Sequence, residues 1–287
     1  MQRGDRIAWI GLAALAGLAY GPVLWRLAAT WWSDPEYSHG LLCAPLAAGI
    51  VWMRRDRLAR IRLDPSAAGL AGAAISITLL LVGTLGAELF LTRASLLLFI
   101  ASSIVFLFGW QHLRGVAFPL AILALSIPVP ALLMTHVTLP LQFAASAAAE
   151  TTLSAVHIPV LREGNVLVLP DATLQVAEAC SGVRSMMSLL VLALLVARDV
   201  TQKMERATLA RIAIVATAVP VTIAVNAVRV TATAVATEYY GVAAADGVIH
   251  EVLGVILFIA SAILLVGCAR LLMTLAPRCR WTLRPMA

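Results

Sequence analysis

Charge is what this chain has least of. Asp, Glu, Lys and Arg make up 13% of its 287 residues, about half the share in soluble domains. With 61% of residues hydrophobic, a water-soluble globule and a disordered chain are both excluded. Four cysteines in so long a chain rule out a secreted disulfide scaffold. Cys-x-x-Cys, His-Glu-x-x-His and carboxylate clusters are absent, as are a Walker loop and a dinucleotide glycine fingerprint. No metal site is therefore expected, and no ATP, NAD or other cofactor. The apolar content is enough for about eight bilayer-crossing helices, with little left for an external domain. A net charge of +6 would point a soluble protein toward nucleic acid. In a membrane chain it reflects cationic loops on the cytoplasmic face, and no nucleic-acid partner is expected.

The apolar runs place spans at 7–29, 40–53, 68–87, 94–110, 116–135, 182–197, 212–234 and 248–272. The first is too long and lacks the small-residue site of a cleaved signal peptide. Of the 21 Lys and Arg residues, 16 fall in segments 1–6, 54–62, 110–115, 198–211 and 270–287, which alternate spans assign to one side. That asymmetry puts both termini of a multi-pass protein in the cytoplasm. Five basic residues are left over, Arg26, Arg93, Arg162, Arg184 and Arg229, outward or within a span.

One stretch breaks the helical pattern. Gln142 to Val156 reads as an amphipathic helix on the outer surface. The following residues, Ile158 to Asp171, alternate short β-branched runs with Glu-Gly-Asn and Pro-Asp turns, and Leu174 to Ala177 closes them. A small extracytoplasmic β-hairpin or three-stranded meander is expected there, before the sixth span. Open strand edges would keep it out of the hydrocarbon. The fold class is thus an all-α polytopic membrane protein, a bundle of about eight helices with this meander, and 1–287 reads as a single integral domain.

Ionisable residues inside spans cost several kcal/mol, about 3 on insertion scales, so those present point to a polar interior. Three places qualify. In Glu178-Ala179-Cys180-Ser181-Gly182-Val183-Arg184-Ser185, the residues Ser181, Arg184, Ser185 and Ser188 share a helical face with Cys180 at its tip. A helix N-terminus and a nearby Arg both favour the nucleophilic thiolate. An isolated cysteine would more often be a small core residue. In the seventh span Thr222, Asn226, Arg229, Thr233 and Thr237 form a polar stripe. A lone Arg could snorkel to the interface, but a stripe of hydrogen-bonding partners turns Arg229 inward. His250 begins the eighth span, where a single histidine is more often interfacial or packed. Cys180, Arg229 and His250 all fall at outer span ends, and a thiol, an acid/base imidazole and an anion-stabilising guanidinium together define nucleophilic catalysis. His39, beside Tyr37 and Ser38, is a further outer-face candidate as base or substrate contact. Cys43 lacks polar neighbours, and His112, Cys268 and Cys279 fall on the cytoplasmic side.

At these residues the chain resembles the exosortase/archaeosortase family of membrane cysteine proteases and transpeptidases. The resemblance is carried by Ala179-Cys180-Ser181-Gly182 with Arg184-Ser185, Asn226 with Arg229-Val230, His250 with Gly254, and Tyr37-Ser38-His39-Gly40. It implies a catalytic Cys180, Arg229 and His250, with Asn226, Ser181, Arg184, Glu178 and His39 supporting the site or binding substrate. It also implies membrane-anchored protein substrates with a C-terminal sorting signal: a short motif (Pro-Glu-Pro in the best-known class), a transmembrane helix and a basic tail. The location it implies is the inner membrane of a prokaryote. Family members are often encoded near exopolysaccharide biosynthesis genes. Two other classes compete: a transporter or flippase binding an anionic head group through Arg184 and Arg229, and a non-enzymatic assembly subunit. Transporters place such charges nearer mid-membrane, often on discontinuous helices.

Overall fold

The computed structural model describes residues 3–170, 172–176, 183–202, 207–241 and 248–275. In chain order these form α1 (Arg3–Ser33), α2 (Gly40–Met53), α3 (Arg55–Ala59), α4 (Ala68–Leu85), α5 (Leu89–Phe108), α6 (Trp110–Leu125) and α7 (Ala131–Ala155). Then come strands β1 (Leu161–Glu163), β2 (Val166–Val168) and β3 (Thr173–Gln175), followed by α8 (Val183–Val200), α9 (Thr208–Tyr240) and α10 (Val248–Leu275). Among the described residues five helices are long and apolar enough to cross a bilayer, 68–85, 89–108, 131–155, 208–239 and 252–275, with 40–53 apolar but shorter. The mostly helical membrane class and the meander are thus present. Among the described residues the candidate spans number five, where the apolar runs led to an expectation of about eight.

One expected span is two helices. The run 116–135 is interrupted after Leu125, because Pro128 and Pro130 lack N–H donors and hold the residues before them extended. The stretch 142–156 is correspondingly not a separate surface helix. It is the second half of α7, which continues through Pro140. His136 accordingly sits inside α7, and His157 follows its end at φ +65°.

The chain divides into two compact units, 1–130 and 131–287. In the first, α4 and α5 form an antiparallel pair built on small residues. A Cβ at Gly69 would collide with the Phe106 backbone, and one at Gly83 would lie 2.9 Å from the backbone N of Thr92. In lipid, such close approach replaces the hydrophobic drive that water would supply. The Tyr37-Ser38-His39-Gly40 turn joins α1 to α2. Gly40 lies against the Trp31 indole, where any side chain would clash, and the indole N–H donates to the Ser126 carbonyl at 2.8 Å.

In the second unit, α8, α9 and α10 run antiparallel to their neighbours. Ala197, Ile214 and Ala269 meet at one end, and Leu189, Ala193, Ala218, Val221 and Leu265 in the middle. The three strands pair antiparallel in sequence order. Gly164 opens the two-residue β1–β2 turn at φ +67°, a backbone conformation that costs glycine little. Leu167, Leu169 and Val176 of the meander bury against Ala145, Ala149 and Leu153 of α7 and against Val230 and Ala234 of α9.

A polar row on α7 holds the meander in place. Gln142, Ser146 and Glu150 follow one another at four-residue spacing, one face of the helix. Asn165 donates to Gln142 Oε1 at 3.0 Å, Ser146 donates to the Gly164 carbonyl at 2.9 Å, and Arg162 pairs with Glu150 at 2.7 Å. The amphipathic character legible in 142–156 therefore serves the sheet. Asn165→Ala leaves the buried Gln142 carbonyl without its donor, a loss of about 1–3 kcal/mol. Amide exchange at Leu167, followed by mass spectrometry, should accelerate by about tenfold or more. An unchanged rate would show that the apolar contacts alone fix the meander.

Candidate functional site

The polar stripe on α9 faces its two neighbours. Thr222, Asn226 and Arg229 line a cavity of about 20 Å³ together with Ser185 of α8 and Gly254, Phe258 and Ser261 of α10. Gly254 supplies the space: a Cβ built there would lie 3.5 Å from a terminal nitrogen of Arg229. The guanidinium therefore rests on the bare backbone of α10, and the stripe turns inward as its spacing predicts. Asn226 is 6% exposed, and its Nδ2 is a buried donor with no partner among the described residues. Thr222 satisfies its own hydroxyl on the Ala218 carbonyl, and Ser261 on that of Leu257. Asn226 is then the group whose hydrogen-bonding capacity is left to offer.

His250 lies in the first turn of α10, one helical turn before Gly254 and at the spacing that puts both on one face. Its side chain falls outside the described residues, as do Glu178, Cys180 and Ser181 altogether. Ser185, five positions after Cys180, reaches the cavity. Arg184 does not: it is exposed and does not line the cavity, so the face expected from 181, 184, 185 and 188 splits between interior and surface. Ser261 is a cavity residue that sequence reasoning passed over. Its signal was its place seven residues beyond Gly254, on the same side of α10.

The charged ends of this bundle are separated. Arg229 and Gly254 lie toward the C-terminal end of α9 and the N-terminal end of α10, where the meander also packs. Arg211 and Arg270 belong to the opposite end, near Ile214 and Ala269.

His39 belongs to the first unit. It is 9% exposed, with Nδ1 3.2 Å from the Glu36 carbonyl and Nε2 3.1 Å from that of Leu125, so it ties the α1–α2 turn to the end of α6. In the same turn, burial and the neighbouring Glu36 carboxylate push the Tyr37 phenol above its usual range. It remains a protonated hydroxyl at neutral pH. Cys43 is 1% exposed within α2, a packed core thiol. His112 turns Nδ1 to the Phe108 carbonyl at 2.9 Å. Among the described residues no group of three or more His, Cys, Asp or Glu side chains could hold a metal ion.

These helices and this site define a polytopic helical membrane protein with an intrabundle arginine. The family model described as Transmembrane exosortase (Exosortase_EpsH) matches residues 31–267, and the chain belongs to that family. The match runs from the end of α1 through most of α10, taking in the turn at His39 and the cavity residues alike. Searches of curated proteins and of solved structures return no match.

The seating of Arg229 makes a graded prediction. Gly254→Ala places a methyl at ordinary contact distance and should leave activity within about threefold of wild type. Gly254→Leu displaces the guanidinium and should lower activity by about 10²-fold, the cost expected if Arg229 donates to a developing oxyanion. Cleavage of a reporter substrate in membranes measures both; equal activity of the two variants would contradict the assignment.

Proposed function

We propose that this protein is a membrane-embedded cysteine protease or transpeptidase that cleaves C-terminal sorting signals of exported, membrane-anchored proteins. The observation that carries this reading is Arg229, held inside the α8–α9–α10 bundle beside Asn226 and Ser185 and one turn from His250 along α10. Family membership supports the substrate class and the thiol chemistry.

In the proposed reaction, the substrate's single helix lies against the bundle and presents its recognition motif at the site. The Cys180 thiolate attacks the scissile carbonyl carbon, and the C–O π electrons move to oxygen. Arg229, with Asn226 Nδ2 beside it, donates to that oxyanion. As the tetrahedral intermediate collapses, the C–N bond breaks and His250 gives its proton to the departing amine. A thioacyl-enzyme remains on Cys180. An incoming nucleophile, an amine or lipid head group for transfer or water for hydrolysis, loses its proton to His250 and expels the thiolate. Ser181 and Glu178 support the nucleophile. The exposed Arg184 meets substrate from outside the bundle, and His39 holds the turn at the start of α2.

Orientation follows from the separated charges. Arg211 and Arg270 at one end of the bundle favour the cytoplasm, which supports an extracytoplasmic placement of Arg229, the meander and the site at the inner membrane. A cavity of about 20 Å³ has room for little more than one water-sized group, so it suits a reacting centre better than a path for a solute.

The test is a reporter bearing a Pro-Glu-Pro motif, a transmembrane helix and a basic tail, expressed with wild type or with Cys180→Ala or Cys180→Ser. The wild type should yield mature product and a thioester adduct on Cys180, detectable by mass spectrometry of the protein. The variants should insert normally and yield neither. Wild-type levels of mature reporter with Cys180→Ala would exclude the thiol mechanism.

A further inference from the structure

The first unit contains a second buried arginine that the proposed reaction does not use. Arg93, near the start of α5, is 6% exposed. It donates through Nη2 to the Thr30 hydroxyl at 2.8 Å, while its Nε is buried with no hydrogen-bond partner among the described residues. A guanidinium within a span is costly to desolvate, and an unmatched N–H on it costs more.

Arg93 forms one end of a groove of about 770 Å³ lined by α1, α2, α5 and α6. Trp31 and Ser126 share that end. The walls are aliphatic, with Ala47 of α2, Leu97 and Ile100 of α5 and Leu120 of α6 among them. The far end is closed by Leu58, Trp52 and Arg55, whose guanidinium stacks 4.4 Å over the Trp52 ring. From Arg93 to Ile104 the lining of α5 advances about 16 Å, close to half the thickness of the hydrocarbon core. The groove is thus one leaflet deep and oily, with a single under-satisfied cation at its head.

We propose that this groove is a binding site for one anionic phospholipid of the surrounding bilayer. Its phosphate accepts from Arg93, and its acyl chains lie between α2, α5 and α6. A guanidinium matches a phosphate with two parallel N–H donors, and Nε is one of the pair such a fork uses. A zwitterionic lipid would bring its own cation to the same place. The site lies wholly in the first unit, so it stands or falls independently of the thiol chemistry.

The experiment uses the full chain in detergent, exchanged with phosphatidylglycerol or phosphatidylcholine and examined by native mass spectrometry. Wild type should retain phosphatidylglycerol about tenfold more than phosphatidylcholine. Arg93→Gln should reduce that preference to about twofold or less. Leu97→Trp, which fills the groove, should lower retention of both lipids. A phosphatidylglycerol with a photoactivatable acyl chain, applied to wild type, gives a readout that needs no variant to fold, and its adducts should map to Leu97, Ile100 and Leu120. Equal retention of the two lipids would overturn the proposal, and so would adducts confined to the outer faces of the helices. Cross-linking of a hydrophobic helical peptide into the groove, undisplaced by phosphatidylglycerol, would overturn it in favour of a peptide site.

Discussion

A guanidinium set between helices, against the bare backbone of Gly254, sets the terms for the second unit. Arg229 sits between helices whose other residues are chiefly Ala, Val, Leu and Ile, and a charge in that setting is tolerated only where a built environment receives it. Three features supply that environment. Gly254 opens the surface of α10 by the volume of one side chain, and the stripe of Thr222 and Asn226 aligns polar atoms along α9. Ser185 brings a hydroxyl from α8. Removing water strengthens every electrostatic interaction that remains, which the oxyanion role proposed for Arg229 would use. The alternating directions of α8, α9 and α10 bring Ser185, Arg229 and Gly254 to one end.

The polar residues of α7 show the opposite use of the same currency. Gln142, Ser146 and Glu150 each close a bond with the meander, and the apolar residues between them bury Leu167 and its neighbours. There every donor is spent on structure. At Asn226 one is held back, with Nδ2 buried and without a partner among the described residues. Satisfied polar rows build a scaffold, and an unspent donor beside a charge marks where chemistry is expected.

Much of this was legible from residue spacing. The α9 stripe repeats at helical intervals and does face inward. The meander follows from β-branched runs punctuated by Gly164-Asn165 and Pro170-Asp171, and its three strands pair in chain order. What spacing could not convey is where a proline ends a helix and where one is absorbed. Pro128 and Pro130, two residues apart, leave no room for a helical turn and break the chain. Pro140 stands alone within α7 and is carried. The expected surface helix at 142–156 is for that reason the second half of α7. Hydrophobic content likewise said nothing of the groove beside Arg93, since its lining reads as ordinary span. Arg184 and Ser185, adjacent in sequence, differ by about 100° around α8, and that rotation sends one to the surface and the other to the cavity.

The central claim is that Cys180, Arg229 and His250 act at one centre. It is tested most directly by the alkylation rate of Cys180 with a small thiol-reactive probe at neutral pH, in wild type, Arg229→Gln and His250→Gln, with Arg270→Gln, exposed at the opposite end of the bundle, as the control. A thiol in the field of Arg229 and within reach of His250 should react about tenfold more slowly in either of those variants, while the control keeps most of its rate. Identical rates in all four proteins would separate the cysteine from the arginine and the histidine, and the single-centre account would be wrong.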